Sequence, residues 1–271
     1  MQYETLTFEP RGEIGLLTLN RPERLNAINN AMLQELNQLW RAVSLDKECR
    51  VVVMIGAGDR GFCSGLDLKE VADLEGGFAS EGISGDTMTR RQKEFSGIID
   101  LMRTCPQPVI AAVNGAAMGG GLSFAMAADV RLASPAARFC ASYINIGLGG
   151  ADMGSSYFLW RLVGWGRAAE MLMTGRIVEV DEAYRIGLVN HVYEQGELLD
   201  KAMEMAAMMV GKSPLGLRMT KEVLNQNIDA PGLESAIQLE NRTQVVCFST
   251  EDAEEGPRAF LEKRAPVYRD R

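Results

Sequence analysis

The sequence predicts an α/β fold with a helical C-terminal region, and three stretches carry that expectation. Residues 51–55 are a short, wholly apolar run that follows a helical pattern and leads into a glycine loop. Such a run fits a strand of a parallel sheet covered on both faces. Residues 108–134 (PVIAAVNGAAMGGGLSFAMAADVRLAS) repeat the order: an apolar β-run, then glycines, then small and apolar residues of helical length. From Glu197 onward nearly everything has helical spacing, with Ala202, Met205, Met208 and Met209 on one stripe. This divides the 271 residues into a core over 1–196 and a helical region over 197–271.

The elements follow in order. Residues 2–20 alternate around Arg11, Gly12 and Glu13 and predict a hairpin that ends at Arg21-Pro22. Asn29 or Asn30 then caps a helix carrying Met32, Leu33, Leu36, Leu39, Trp40 and Val43 at helical spacing. After the strand at 51–55 come a loop over 56–65 (GAGDRGFCSG), a short helix over 66–74, a glycine-rich surface loop over 76–85 and a helix over 87–103. Beyond the glycine-led helix, residues 138–146 look strand-like, 147–154 form a second glycine loop, and 155–162 are helical. Short helices lead to a strand in GLVNHVYE, with later helices at 233–248 and 252–263.

Composition narrows the function. Lys plus Arg number 28 against 36 acidic residues, a net charge of −8, which disfavours nucleic acid as a partner. No cationic start followed by an apolar core opens the sequence, and no apolar run reaches the ~18 residues of a membrane span. The five cysteines (49, 63, 105, 140 and 247) lack CxxC spacing, so reduced thiols in the cytoplasm and no metal site are expected. His191, the single histidine, sits in an apolar run and reads as structural.

Gly119, Gly120 and Gly121 stand where a helix begins. The first N–H groups of a helix have no partner within it, and the macrodipole concentrates positive charge there. Without Cβ atoms, the turn lets a ligand oxygen approach the backbone. Phosphate or a developing oxyanion would fit, and close packing of helix on strand would also account for the glycines. Residues 56–61 match GxGxxG, with Glu75 in range of the acidic position of a dinucleotide site. A lone match is weak, however, and no helix opens at its third glycine. The alternative pairs this loop with the triple glycine, so that the N–H of Leu66, freed by Gly65 at a helix start, and that of Gly120 converge on one oxygen.

Taken together, RPERLNAI (21–28), GFCSGLDLKE (61–70), NGAAMGGGLSFAMAADVRLA (114–133) and EGPRAFLEKRAP (255–266) resemble the enoyl-CoA hydratase/isomerase (crotonase) family. The resemblance implies a spiral α/β core of ββα units and a helical C-terminal region that trimerises, giving a homotrimer or a hexamer made as a dimer of trimers. It implies an acyl-CoA substrate, with coenzyme A arriving as part of the substrate and no separate cofactor. By the same resemblance the N–H groups of Leu66 and Gly120 hold the thioester oxygen. Arg24, Ala27 and Lys263 lie where relatives meet CoA, Lys263 serving its own or a neighbouring subunit's ligand.

The chain departs from the family's hydratases at their paired glutamates, where it carries Ser123 and Tyr143. A hydroxyl is barely ionised near neutral pH and cannot replace a carboxylate base. Asp152 matches the aspartate that dienoyl-CoA isomerases, several acyl-CoA hydrolases and a dehalogenase of the family use; its plainer role is an N-cap for a helix beginning at Met153. Asp67 and Glu70 read as first-turn charges, and Cys63 as an inert thiol. The expected activity is isomerisation of an unsaturated acyl-CoA with Asp152 as base, assisted by hydrogen bonds from Tyr143 and Ser123. Hydrolysis through Asp152, hydration with a different acid and base, and acyl-CoA binding without catalysis stay open.

Overall fold

The protein, seen here as a computed structural model, is described over residues 3–73 and 85–271; Glu75 and all but the last residue of the glycine loop expected at 76–85 lie outside them. The opening hairpin forms as expected, with β1 (Leu6–Arg11) antiparallel to β2 (Ile14–Leu19). Asn29 caps α1 (Asn30–Leu45), its side chain accepting from the Met32 N–H at 2.9 Å.

The chain then writes the same phrase three times. β3 (Val51–Gly56) is followed by β4 (Gly61–Cys63) and α2 (Leu68–Asp73). After α3 (Gly85–Thr104), β5 (Val109–Val113) is followed by β6 (Ala116–Met118) and α4 (Gly120–Ala127). β7 (Val130–Ala133) is followed by β8 (Arg138–Cys140) and a 3₁₀ turn at Ile144–Ile146. In each phrase the first strand joins one sheet and the second another.

After α5 (Ser155–Val163) and α6 (Trp165–Thr174), β9 (Val178–Glu179), α7 (Val180–Arg185) and β10 (His191–Val192) complete the sheets. The large sheet runs β1-β2-β3-β5-β7-β10 and the small one β4-β6-β8-β9. Pairing is parallel except at the β1/β2 hairpin and at β8/β9.

Two expectations from sequence are corrected here. The apolar stretch after the triple glycine is not one helix: α4 stops at Ala127, and Val130–Ala133 returns to the large sheet beside β5. The turn is fixed by Asp129, whose N–H donates to the Val109 carbonyl while its carboxylate accepts from the Val109 N–H. The strand expected over 138–146 ends at Cys140, because Tyr143 adopts helical dihedrals and leads the 3₁₀ turn.

The residues of β3 explain why its sequence is apolar throughout. Val52 and Met54 face the main core with Trp40 and Phe62, while Val51 and Val53 face the outer side of the sheet. That side is covered by Leu198, Ala202 and Ala206 of α8 (Leu198–Val210). Met208 points away from this contact and is exposed, so the apolar stripe runs through the alanines rather than through every methionine. Lys221 of α9 (Pro214–Asn227) is buried and docks that helix, its ammonium bonding the carbonyls of Met102 and Gln107 and pairing with Asp129 at 2.9 Å. α10 (Leu233–Phe248) buries none of its residues in this chain, and α11 (Glu251–Leu261) follows it. No helix among the described residues is long and apolar enough to cross a membrane.

All eight residues of α4 are buried, and its start presses on β4: a Cβ at Gly121 would lie 1.9 Å from the Cys63 carbonyl oxygen. Replacing Gly121 by Ala should destabilise the fold by about 3 kcal/mol or more, since neither backbone can yield easily. Gly97, inside α3, has open space where its Cβ would be. Gly97→Ala should therefore stabilise by about 0.5–1 kcal/mol through helix propensity. Urea denaturation midpoints of the two variants should move in opposite directions.

Candidate active site

The site is built where the first two phrases meet. Gly65 has a φ of +86°, and a Cβ there would lie 2.8 Å from the Met118 carbonyl oxygen and 3.4 Å from the Gly120 nitrogen. The two glycine turns are therefore packed on each other. Leu66 forms an isolated parallel bridge with Ile28: the Ile28 N–H donates to the Gly65 carbonyl at 2.7 Å and the Asp67 N–H to the Ile28 carbonyl at 2.9 Å. In that pattern the N–H of Leu66 points away from Ile28.

The route differs from the expected one, because Leu66 is not at a helix start; α2 begins at Leu68. Gly119, with a φ of +51°, donates to the Cys140 carbonyl and turns the chain into α4, whose first residue is Gly120. Among the described residues, neither the Leu66 nor the Gly120 N–H donates to a protein acceptor.

Asp67 holds the first turn in place. Its carboxylate accepts from the N–H groups of Lys69 and Glu70 and pairs with Arg21 at 2.9 Å, and Arg21 also donates to the Ala27 carbonyl. Burial opposes its charge, but the Arg21 hydrogen bond and charge and the two amides together hold its carboxyl below the usual range. Asp67 is thus more than a first-turn charge: it ties α2 to the segment that carries Ile28. Glu70 adds a further tie, accepting from the Asn30 N–H at the start of α1.

A cavity of about 350 Å³ opens beside the two amides, lined by Leu66, Gly120, Tyr143 and Asp152. Its apolar wall includes Ile28, Phe95, Met118 and Met153. Asp152 does not cap a helix at Met153 as expected: α5 starts at Ser155 with Gly154 before it, and Met153 has a left-handed φ of +45°. The Asp152 carboxylate instead accepts from the Met153 N–H at 2.7 Å and from Gln92 of α3 at 2.5 Å, through the same oxygen, Oδ1.

Tyr143 is buried, with its hydroxyl 2.6 Å from that of Ser123. Burial pushes its phenol well above the ordinary range; the Ser123 hydrogen bond works against that, and the charge of Asp152 adds to it. The hydroxyl is a hydrogen-bond donor at neutral pH. Ser123 is fully buried and does not line the cavity, so it reaches the site only through Tyr143.

The other expected positions lie outside the cavity wall. Ala27 is buried next to Ile28, while Arg24 is exposed. Lys263 is exposed beyond the end of α11, with a φ of +54°. The GxGxxG segment makes no helix start: Gly61 opens β4, and the loop's carbonyls are taken by Asn114 (Gly56 and Gly58) and Asn26 (Ala57 and Gly61). His191 is exposed at a strand end rather than embedded in an apolar run, and its ring lies 5.9 Å from that of Tyr193. Burial pushes the Cys63 thiol up to about 12. No group of three or more metal-ligating side chains occurs among the described residues.

The sequence profile of the enoyl-CoA hydratase/isomerase family matches residues 9–271. The chain belongs to that family. It is 43% identical over 267 residues to a probable enoyl-CoA hydratase of Mycobacterium tuberculosis, covering 98% of this chain and 92% of the relative. It is 36% identical to a short-chain-enoyl-CoA hydratase of Clostridium acetobutylicum, covering 97% of each.

Among solved structures, a probable enoyl-CoA hydratase/isomerase from Mycobacterium abscessus superposes with a TM-score of 0.88 at 39% identity, over 99% of this chain and all of that one. An enoyl-CoA hydratase from Bacillus anthracis gives 0.91 at 31% identity, again over 99% and 100%. The two linked sheets are the enoyl-CoA hydratase/isomerase fold, and the family acts on acyl-CoA thioesters.

Sequence reading missed the α3 face of the site. Met88, Arg91, Gln92 and Phe95 share one side of that helix and line the cavity. Their spacing of three and four residues was the available signal. Asp67→Asn should destabilise the protein by about 2–3 kcal/mol at pH 7, because Arg21 loses its partner in a mostly buried setting. A depressed carboxyl contributes stability above its unfolded value near 3.8, and that stability is lost as pH falls through the folded value. Urea denaturation should therefore show a gap between wild type and variant at pH 7 that closes in acid.

Proposed function

We propose that this family member isomerises an unsaturated acyl-CoA, with the Leu66 and Gly120 amides holding the thioester oxygen and Asp152 moving the proton. One observation supports the proposal: Leu66 and Gly120, whose N–H groups have no protein acceptor among the described residues, line the same cavity as Asp152, the one carboxylate on its wall among those residues. In a 3-enoyl thioester, Asp152 takes a proton from the carbon between the carbonyl and the double bond. The electron pair passes to the carbonyl oxygen, giving a dienolate between the two amides. Asp152 then returns the proton two carbons further along, leaving the double bond conjugated with the thioester. No water is consumed, and one base suffices.

Each amide donor is worth about 3 kcal/mol of barrier in a water-excluded site. Tyr143, held neutral, supplies a hydrogen bond to the substrate or to Asp152. Arg24, Ala27 and Lys263 remain proposed CoA contacts. The helical tail is the proposed assembly surface, supported by the exposure of Leu233, Val245 and Phe248 on α10.

Hydration of a 2-enoyl-CoA is the second reading. It is favoured by the names of relatives, among them a crotonyl-CoA hydratase of Syntrophomonas wolfei at 36% identity. In that case Asp152 activates water.

The two are separated by incubating the protein with 3-hexenoyl-CoA and with crotonyl-CoA. Isomerisation gives a conjugated thioester of unchanged mass from the former, hydration a product heavier by one water from the latter, and release of free CoA thiol contradicts both. Asp152→Asn should lower turnover by about 10²–10⁴-fold, with acyl-CoA affinity by calorimetry changed less than about twofold. Near-normal turnover would remove Asp152 from the mechanism.

A further inference from the structure

Asp152 is held from two sides, and only one of its carboxylate oxygens is engaged among the described residues. Its backbone is fixed by Ser155, which is fully buried: the Asp152 N–H donates to the Ser155 hydroxyl at 3.0 Å, and the Ser155 N–H donates to the Asp152 carbonyl at 2.8 Å. Its side chain is fixed by two donors on Oδ1, the Met153 N–H and Nε2 of Gln92. Oδ2 takes no hydrogen bond among the described residues. The Met153 donor comes from the adjoining peptide, in a turn with left-handed backbone at Met153 and Gly154. Gln92 comes from α3, sixty residues earlier in the chain, and reaches across the cavity wall.

We infer that Gln92 is the positioning residue for the catalytic carboxylate: by occupying Oδ1 it fixes the side chain so that Oδ2 faces the substrate. The inference rests on the proposed role of Asp152. A rotamer locked by a neighbour keeps the base at productive distance. A glutamine suits that role because its amide donates without bringing a charge that would neutralise the base. The ionisable groups facing Asp152 on the cavity wall are Arg91 of α3 and Tyr143, with Cys63 of β4 close to the tyrosine. Arg91 donates to the Asn30 side chain, not to Asp152.

The test is a pair of substitutions at position 92 in the full-length chain: Gln92→Leu, which removes the donor, and Gln92→Lys, which restores one and should recover part of the lost kcat. With 3-hexenoyl-CoA as probe, Gln92→Leu should lower kcat by about 10-fold or more, the range of a displaced catalytic group, with KM changed less than about twofold.

Thermal midpoints should stay together across the series, since Gln92 is exposed. An unchanged kcat in Gln92→Leu, or a fall matched by an equal rise in KM, would overturn the inference even if Asp152→Asn is inactive. An active Asp152→Asn would instead overturn the proposed role of Asp152, whatever the position-92 variants show.

Discussion

The close approach of two glycine turns governs this molecule. Gly65 lies between the second strand and the helix of the first ββα phrase and Gly120 opens the helix of the second, and any side chain at Gly65 would strike the Met118 carbonyl. Because β4 and β6 are neighbours in the small sheet, the spiral itself brings the turns together. The contact leaves two main-chain amides without protein partners among the described residues, beside a largely apolar cavity, a costly arrangement unless a ligand oxygen completes it. Gly121 packs against Cys63, Gly119 makes the turn with a positive φ, and Gly120 opens α4 on the cavity wall.

The supports around this contact are polar and largely buried. Arg21 and Asp67 tie the first turn to the Ile28 segment, and Asn114 binds Gly56 through both its N–H and its carbonyl. These bonds fix loops that would otherwise be free to move, and a donor that must not reorganise during reaction gains from such rigidity. Asp152 on the cavity wall is held in the same manner, its backbone N–H by the Ser155 hydroxyl and its carboxylate by Gln92. The cavity is therefore framed by fixed polar supports. Tyr143 lines it and forms a buried pair with Ser123, and Asp152 is the one carboxylate on its wall among the described residues.

Much of this was legible in the sequence because it is local. The apolar run of β3 announced a strand covered on both faces, and the glycines at 119–121 announced a tight turn into a closely packed helix. What depended on tertiary contacts was not legible. The freedom of the Leu66 amide comes from a bridge to Ile28, nearly forty residues earlier, and no local pattern shows it. The end of α4 is set by hydrogen bonds between Asp129 and Val109 across the sheet. Gln92 lies on a largely polar helix and gains its meaning only from Asp152, and the burial of Ser123 behind Tyr143 separates two residues that the sequence offered as equals.

The most direct measurement is a crystal structure of the protein with a bound, slowly reacting acyl-CoA analogue. The account places the thioester oxygen within about 3.1 Å of both the Leu66 and the Gly120 nitrogens, with Asp152 beside the adjoining carbons. A thioester oxygen bound to only one of those amides, or lying away from both, would contradict it.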